Sequence, residues 1–188
     1  MQKYELVLML DASLQEKERQ NTVSSLENEI KDCILKKDDM GLRKTMYDFH
    51  RVRGHNNFYI HSYYIQAENK DLDVIKKQLL YNKAIARYFI FKMNSTDEFF
   101  MFDELQTKLS KFLEESEEKK TGQKVSFFMN KENKKYLTWK AITILKKYMT
   151  RFGSIKPRKY TKNPVLTQKK VKECIHRARE LGLLEYIK

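Results

Sequence analysis

Lys169, Lys172, His176 and Arg179 recur at steps of three and four residues, with Lys170 and Arg177 beside them. On a helix that spacing makes a cationic ridge, and its chemistry is the holding of phosphate oxygens, two at a time where an Arg fork is available. Upstream, Lys140, Lys146, Lys147 and Arg151 fall off the apolar side of another helical period, and Lys156, Arg158 and Lys159 lie in the segment between; all are expected to reach solvent or phosphate. From Tyr136 to Lys188 there are fourteen Lys and Arg against three Glu, a net of +11, whereas residues 1–93 net +3 and residues 94–135 net −1. Charge is therefore a property of one end. Clustered Lys and Arg release condensed counterions when they meet a phosphate backbone, which makes nucleic acid the first partner class.

Other chemistry is weaker. His50, His55 and His61 have no Cys or acidic neighbour at metal-ligand spacing, so neither metal nor cofactor is expected. Asp38-Asp39 and the acidic run from Glu114 to Glu118 are paired only in sequence, in a turn and at a helix end where water keeps carboxylates ionised, unlike the opposed and partly buried pair that acid-base catalysis needs. With no Gly-rich phosphate loop and no nucleophile elbow, neither an enzyme nor a small-molecule substrate is expected. Cys33 and Cys174 sit in different modules outside any CxxC spacing and read as buried thiols of a reducing compartment. The longest apolar runs are strand-sized, far short of the ~20 residues that span a bilayer, and no basic n-region precedes Tyr4, so neither a membrane partner nor a secretory signal is expected.

Three segments must position these residues. Residues 1–93 read as a strand at Tyr4–Leu10, a turn and helix cap at Asp11-Ala12-Ser13, and a helix carrying Leu14, Val23, Leu26, Ile30 and Leu35. Two strands follow, Met40–Phe49 and Asn57–Gln66, joined by a polar loop with Arg51, Arg53 and Gly54. A helix over Lys70–Tyr81 buries Leu72, Ile75 and Leu79, and a last strand covers Ala84–Lys92. The order βαββαβ folds most economically as a ferredoxin-like antiparallel sheet with both helices on one face. Residues 94–124 read as an amphipathic helix opened by a Ser95 to Glu98 capping box, with Phe99, Phe102, Leu105, Leu109 and Phe112 on one side and a flexible joint at Lys119–Gln123. That stripe either covers apolar surface within the chain or docks a neighbouring protein. Residues 125–188 read as a small all-α basic domain: a helix capped by Thr138, burying Trp139, Ile142, Leu145, Tyr148, Met149 and Phe152 and stopped by Gly153; an extended Ser154–Lys162; and a helix started at Asn163-Pro164 and ended by Gly182. The fold class is thus α+β.

The run Gly41-Leu42-Arg43-Lys44-Thr45-Met46-Tyr47 between a strand-helix unit and a basic loop resembles bacterial-type small-subunit ribosomal protein six over about residues 2–93, and Arg87 matches an Arg near the start of that family's last strand. Asp48-Phe49 stands where that family has Pro-Ile. Trp139-Lys140, Leu145, Tyr148, Gly153-x-Ile155-x-Pro157, Thr161, Gln168, Ile175-x-Arg177-Ala178-Arg179, Leu183-Leu184 and Tyr186 resemble small-subunit ribosomal protein eighteen without gaps. Lys162 departs from that family's Gly after the Thr, and Glu185 from its Pro before the Tyr.

These families are direct partners, so the resemblance implies a natural fusion: a structural constituent of the small ribosomal subunit that binds small-subunit rRNA in the central domain or platform. It also implies neighbouring ribosomal proteins as partners, pairing of the two modules within the chain, and a place on a cytoplasmic or organellar ribosome. Arg43, Arg51, Arg53 and Arg87 join the expected RNA-binding set. The alternative is a non-ribosomal single-stranded-RNA regulator, since Arg53-Gly54-His55-Asn56-Asn57-Phe58-Tyr59 has a likeness to the RNP1 strand of RNA-recognition motifs.

Overall fold

The computed structural model describes residues 2–49, 56–94, 97–118, 127–130 and 132–186. The chain separates into two compact units, one of residues 1–44 and 48–99, the other of residues 45–47 and 100–188.

In the first unit the strands are β1 (Gln2–Asp11), β2 (Ile34–Lys44), β3 (Asn57–Ala67) and β4 (Ile85–Lys92), and the helices are α1 (Glu16–Glu29) and α2 (Asn69–Tyr81). They form an antiparallel sheet of order β2-β3-β1-β4, the ferredoxin-like arrangement expected from βαββαβ. Alternation puts Tyr4, Leu6, Leu8 and Leu10 of β1 and Tyr63 and Ile65 of β3 on the helix side, packed with Leu26, Leu72, Ile75 and Leu79. α2 opens with a reciprocal cap in which the Asp71 carboxylate accepts the Glu68 amide at 3.1 Å.

β2 differs from its predicted extent. The helix ends at Glu29, a single 3-10 turn (Lys31–Cys33) follows, and the strand begins at Ile34, ahead of the expected Met40, and ends at Lys44 rather than Phe49. Leu35 points outward, half exposed, rather than closing a helical face. Asp38 and Asp39 form no turn: Asp38 is buried in the strand, and the Asp39 carboxylate accepts the Gly41 amide at 2.8 Å across a bulge. Gly41 has φ +66°. The turn chemistry of this segment is used to kink an edge strand instead of to begin one. Asp11 does make its turn, accepting the amide and hydroxyl of Ser13, both at 2.7 Å, while the helix N-cap falls on Gln15.

In the second unit α3 (Phe102–Glu118) buries Phe102, Leu105 and Leu109. The Gln106 amide donates to the Lys140 carbonyl at 2.7 Å and accepts from Thr143 Oγ1 at 3.0 Å, so the helix packs on the segment that begins the basic region. Its expected capping box and the Lys119–Gln123 joint involve residues outside the described set, and Phe99 belongs to the first unit, stacked on Tyr64. Helices α4 (Ile142–Lys147), α5 (Arg158–Thr161) and α6 (Val165–Glu180) complete it. Their core is Trp139, Ile144, Leu145, Tyr148, Val171, Cys174, Ile175, Ala178 and Leu181.

The helix expected from Thr138 to Phe152 is shorter. Thr138 provides no cap, its hydroxyl being buried without a partner, and the chain leaves α4 at Tyr148 to fold back on itself. Thr150 takes the Ser154 carbonyl at 2.7 Å, Lys156 takes the Tyr148 carbonyl at 2.8 Å, and Gly153 turns at φ +84°. Phe152, expected in the core, stands 68% exposed on the tip of that reversal. Nor is Ser154–Lys162 wholly extended, because Pro157 serves as N-cap of α5 and directs helix after itself while denying it to Lys156.

A Cβ on Gly41 would meet nothing within 4 Å, so only its backbone resists substitution. Gly41→Ala is expected to lower stability by about 1 kcal/mol in urea unfolding, with no rearrangement of the sheet. His61 carries a different signature. Burial pushes its pKa below the ordinary value against the opposing pull of Asp39, 3.5 Å away, and of Glu27. The fold therefore holds the neutral ring, and the unfolded chain takes the proton first as pH falls. His61 costs no stability above its unfolded pKa and an increasing amount below it, so between about pH 7.5 and 5.5 His61→Gln should lose stability less steeply than the parent.

Candidate nucleic-acid interface

The forty residues from Asn133 to Lys172 contain thirteen Lys and Arg and no carboxylate. Such a stretch has no internal counter-charge, so each ammonium and guanidinium must find a carbonyl, an aromatic face, water or an external anion. The fold sorts them. Lys146, Lys147, Arg151, Arg158, Lys159, Lys169 and Lys172 stand exposed, and Lys156 and Lys170 are half-buried. Lys156 Nζ folds onto the Lys147 carbonyl at 2.8 Å, completing the end of α4, and Arg151 lies over Phe152 with its guanidinium carbon 5.5 Å from the ring centre.

Two expected members of the surface are not on it. Lys140 is 2% exposed, its ammonium donating to the Phe100 carbonyl at 3.0 Å and lying over Trp139. Arg179 is 6% exposed: Nη2 donates to the Gly153 carbonyl, Nε donates to the Glu185 carbonyl at 3.0 Å, and the guanidinium carbon lies 5.5 Å from the centre of the Tyr186 ring. The three- and four-residue spacing that put Arg179 in line with Lys172 and His176 is real, but 100° per residue carries its Cβ around to the edge of the apolar face, beside Ile175 and Ala178. Arg177 is half-buried and paired with Glu173 one turn earlier.

The C-terminal end of α6 has its own partners. Tyr47 donates its hydroxyl to the Arg179 carbonyl, and the Met46 amide donates to the Gly182 carbonyl at 2.7 Å. The Tyr47 and Tyr186 rings meet at 5.9 Å. These bonds occupy carbonyls that a helix end otherwise leaves to water. Tyr47 entered the sequence reading only as a family residue; nothing in its own neighbourhood signals that it closes a helix 132 positions away.

In the first unit, the Arg43 side chain turns back to the Met40 carbonyl at 2.9 Å, and Arg87 is exposed with its guanidinium 4.5 Å from the centre of the Phe49 ring. Arg51, Arg53, His50 and His55 lie outside the described residues. The sheet face opposite the helices has Val7, Met9, Ile60 and Ser62 at its centre, all fully buried, with Phe58, Tyr64, Phe89 and Phe91 beside them, so the positions corresponding to the centre of a base-stacking sheet present no exposed ring. Among the described residues no group of three His, Cys, Asp or Glu is placed to hold a metal ion, and no helix is long and apolar enough to cross a membrane.

One residue that the sequence reading treated only as a departure matters here. Lys162 adopts φ +53°, ψ +16°, the left-handed region, so the turn that a Gly would make is made with a lysine.

Residues 133–184 match the family Ribosomal protein S18, and residues 3–92 match the family Ribosomal protein S6. The small ribosomal subunit protein bS18 of Mycoplasma capricolum subsp. capricolum is 38% identical over 68 residues, which is 36% of this chain and 89% of that relative. The bS18 of Mycoplasma mycoides subsp. mycoides is 40% identical over the same length and shares. The crystal structure of 30S ribosomal protein S6 from Thermotoga maritima superposes with a TM-score of 0.45 and 21% identity, covering 60% of this chain and 97% of that one.

Removing Arg179 should act on folding. Arg179→Ala strands the buried Gly153 carbonyl and the part-buried Glu185 carbonyl and is expected to cost about 2 kcal/mol, read as a lowered urea midpoint, while Lys172→Ala changes stability by less than about 0.5 kcal/mol. Equal midpoints for the two would contradict the buried placement of Arg179.

Proposed function

The chain belongs to the small ribosomal subunit protein S18 family through its C-terminal part and carries a ribosomal protein S6 domain before it, and from this we propose how the joined pair works. It is a structural constituent of the small ribosomal subunit. In our reading the second unit binds small-subunit rRNA through phosphate contacts, and the first holds it in place by pairing with it inside one chain. Neither role calls for catalysis.

The observation that carries the RNA reading is the sorting of cations just described. Of the Lys and Arg of residues 133–172, Lys135, Lys146, Lys147, Arg151, Arg158, Lys159, Lys162, Lys169 and Lys172 are exposed, and no acid lies within the stretch. Phosphate contacts of this kind position a protein on folded RNA without reading its sequence. Lys146, Lys147, Arg151, Arg158, Lys159, Lys169 and Lys172 are the residues proposed for it, with Lys156, Lys170 and Arg177 at its edge and Arg87 as a separate contact.

Pairing within the chain is supported by Thr45–Tyr47, which lies inside the S6-matching residues yet belongs to the second unit and closes the end of α6. A short tether replaces a bimolecular step with an intramolecular one, at effective concentrations of order mM.

The test is sedimentation of the full chain with small subunits. The chain should stay with the particle through moderate salt, and a chain left at the top of the gradient would end the ribosomal reading. A protease site placed within Lys119–Gln123 then tests the pairing: after cleavage the halves should co-purify, and Tyr47→Ala should weaken their association.

A further inference from the structure

The exposed turn between α5 and α6 combines features that phosphate contact alone does not require. Tyr160 is 73% exposed and Leu166 82% exposed, and Arg158, Lys159, Lys162 and Lys169 of the same stretch of chain are exposed as well. The turn is held from inside. Gln168 accepts from Thr161 Oγ1 at 2.8 Å and from Asn163 Nδ2 at 3.2 Å, and donates to the Lys156 carbonyl at 2.9 Å. Thr161 and Asn163 are buried, while Tyr160 and Lys162, their neighbours in the chain, point outward. A bare phenol ring on a turn whose backbone is held from inside is an aromatic platform, and only the two side-chain torsions of the tyrosine remain to be fixed when something lands on it.

Lys162 adds a second, independent sign. A lysine in the left-handed region costs about 1 kcal/mol relative to glycine, which makes the same turn without strain. Strain held at an exposed position gains nothing for the core. It is consistent with a side chain retained for what it contacts.

Resting on the rRNA-binding reading above, we propose that this turn is a nucleotide-stacking site: an unpaired base of the rRNA lies on the Tyr160 ring, and Lys162 and Lys159 hold its flanking phosphates. The occupant is RNA and not protein by charge complementarity. With exposed Arg158, Lys159, Lys162 and Lys169 in the same stretch of chain and no acid from Asn133 to Lys172, the segment offers nothing to the basic side chains of a protein partner, whereas a nucleotide supplies a π-face and an anion together.

The experiment compares the full chain with Tyr160→Ala, Tyr160→Phe and Lys162→Gly for binding to a transcript of the small-subunit rRNA of the organism that encodes it, with urea unfolding run beside it. Tyr160→Ala should weaken binding roughly tenfold, a loss that Tyr160→Phe restores. Lys162→Gly should hold or raise the urea midpoint yet reduce the slope of log affinity against log salt by about one. That opposition separates a contact role from a structural one. If both variants bind the transcript as the parent does, the stacking site is overturned. If they bind the transcript normally but fail to enter salt-stripped subunits, it is likewise overturned, and a neighbouring protein is the occupant. A parent chain that does not bind the transcript at all removes the rRNA reading itself, a result distinct from either.

Discussion

A guanidinium cannot shed its charge, so a buried one must have its donors met or be driven back to water. Arg179 places Nε and Nη2 on main-chain carbonyls from two places, the C-terminal segment at Glu185 and the Gly153 reversal, and lays its charge over the Tyr186 ring. Three segments are thereby fixed around one side chain. The reversal must bring Gly153 to it, which ends α4 early and carries Phe152 out to solvent. Gly182 must turn the chain at φ +71° so that Glu185 can come back. The outward direction of the cations on α4 to α6 follows from this packing, since the side of α6 that Arg179 and Ile175 bury determines which side Lys169 and Lys172 leave free.

Much of this was legible beforehand, and the failures have physical causes. Leu72, Ile75 and Leu79 recur at helical steps, so α2 was readable from local pattern alone, though its Glu68–Asp71 cap was not part of that reading. β1, β3 and β4 were readable because their residues are apolar and β-branched or aromatic over a strand's length. β2 was not, since an edge strand needs little apolar content and this one contains Asp38, Asp39 and Gly41, which in isolation signal a turn. In the second unit Thr138 to Phe152 has a good helical period, yet hydrogen bonds from Thr150 and Lys156 to other strands of the reversal outweigh it. Local propensity is a weak prior wherever tertiary bonds compete for the same backbone.

Among the cations, composition located the charge but not which residues the fold exposes. Lys140 and Lys147 are seven positions apart and would share one side of a continuous helix, but α4 begins only at Ile142, and the turn before it folds Lys140 inward to the Phe100 carbonyl. Lys and Arg bury long apolar stems readily, so charge in a sequence limits where a head group ends less than it limits the net field. The same freedom hides Lys162, whose interest lies in its backbone angle and not in its charge.

Joining the two family segments changes what the loop-closure term demands of them. Tyr47 reaches the end of α6 across 132 positions, and the entropy of closing such a loop grows only as the logarithm of its length, so the intervening helix and joint add little to the cost. As separate chains the same contact would depend on concentration. As one chain it does not. That accounts for a sequence in which both functional ends carry dense, specific patterns while the segment between them carries only an amphipathic stripe. The stripe on α3 is used within the second unit, where Phe102, Leu105 and Leu109 are buried and Gln106 is bonded to Lys140 and Thr143.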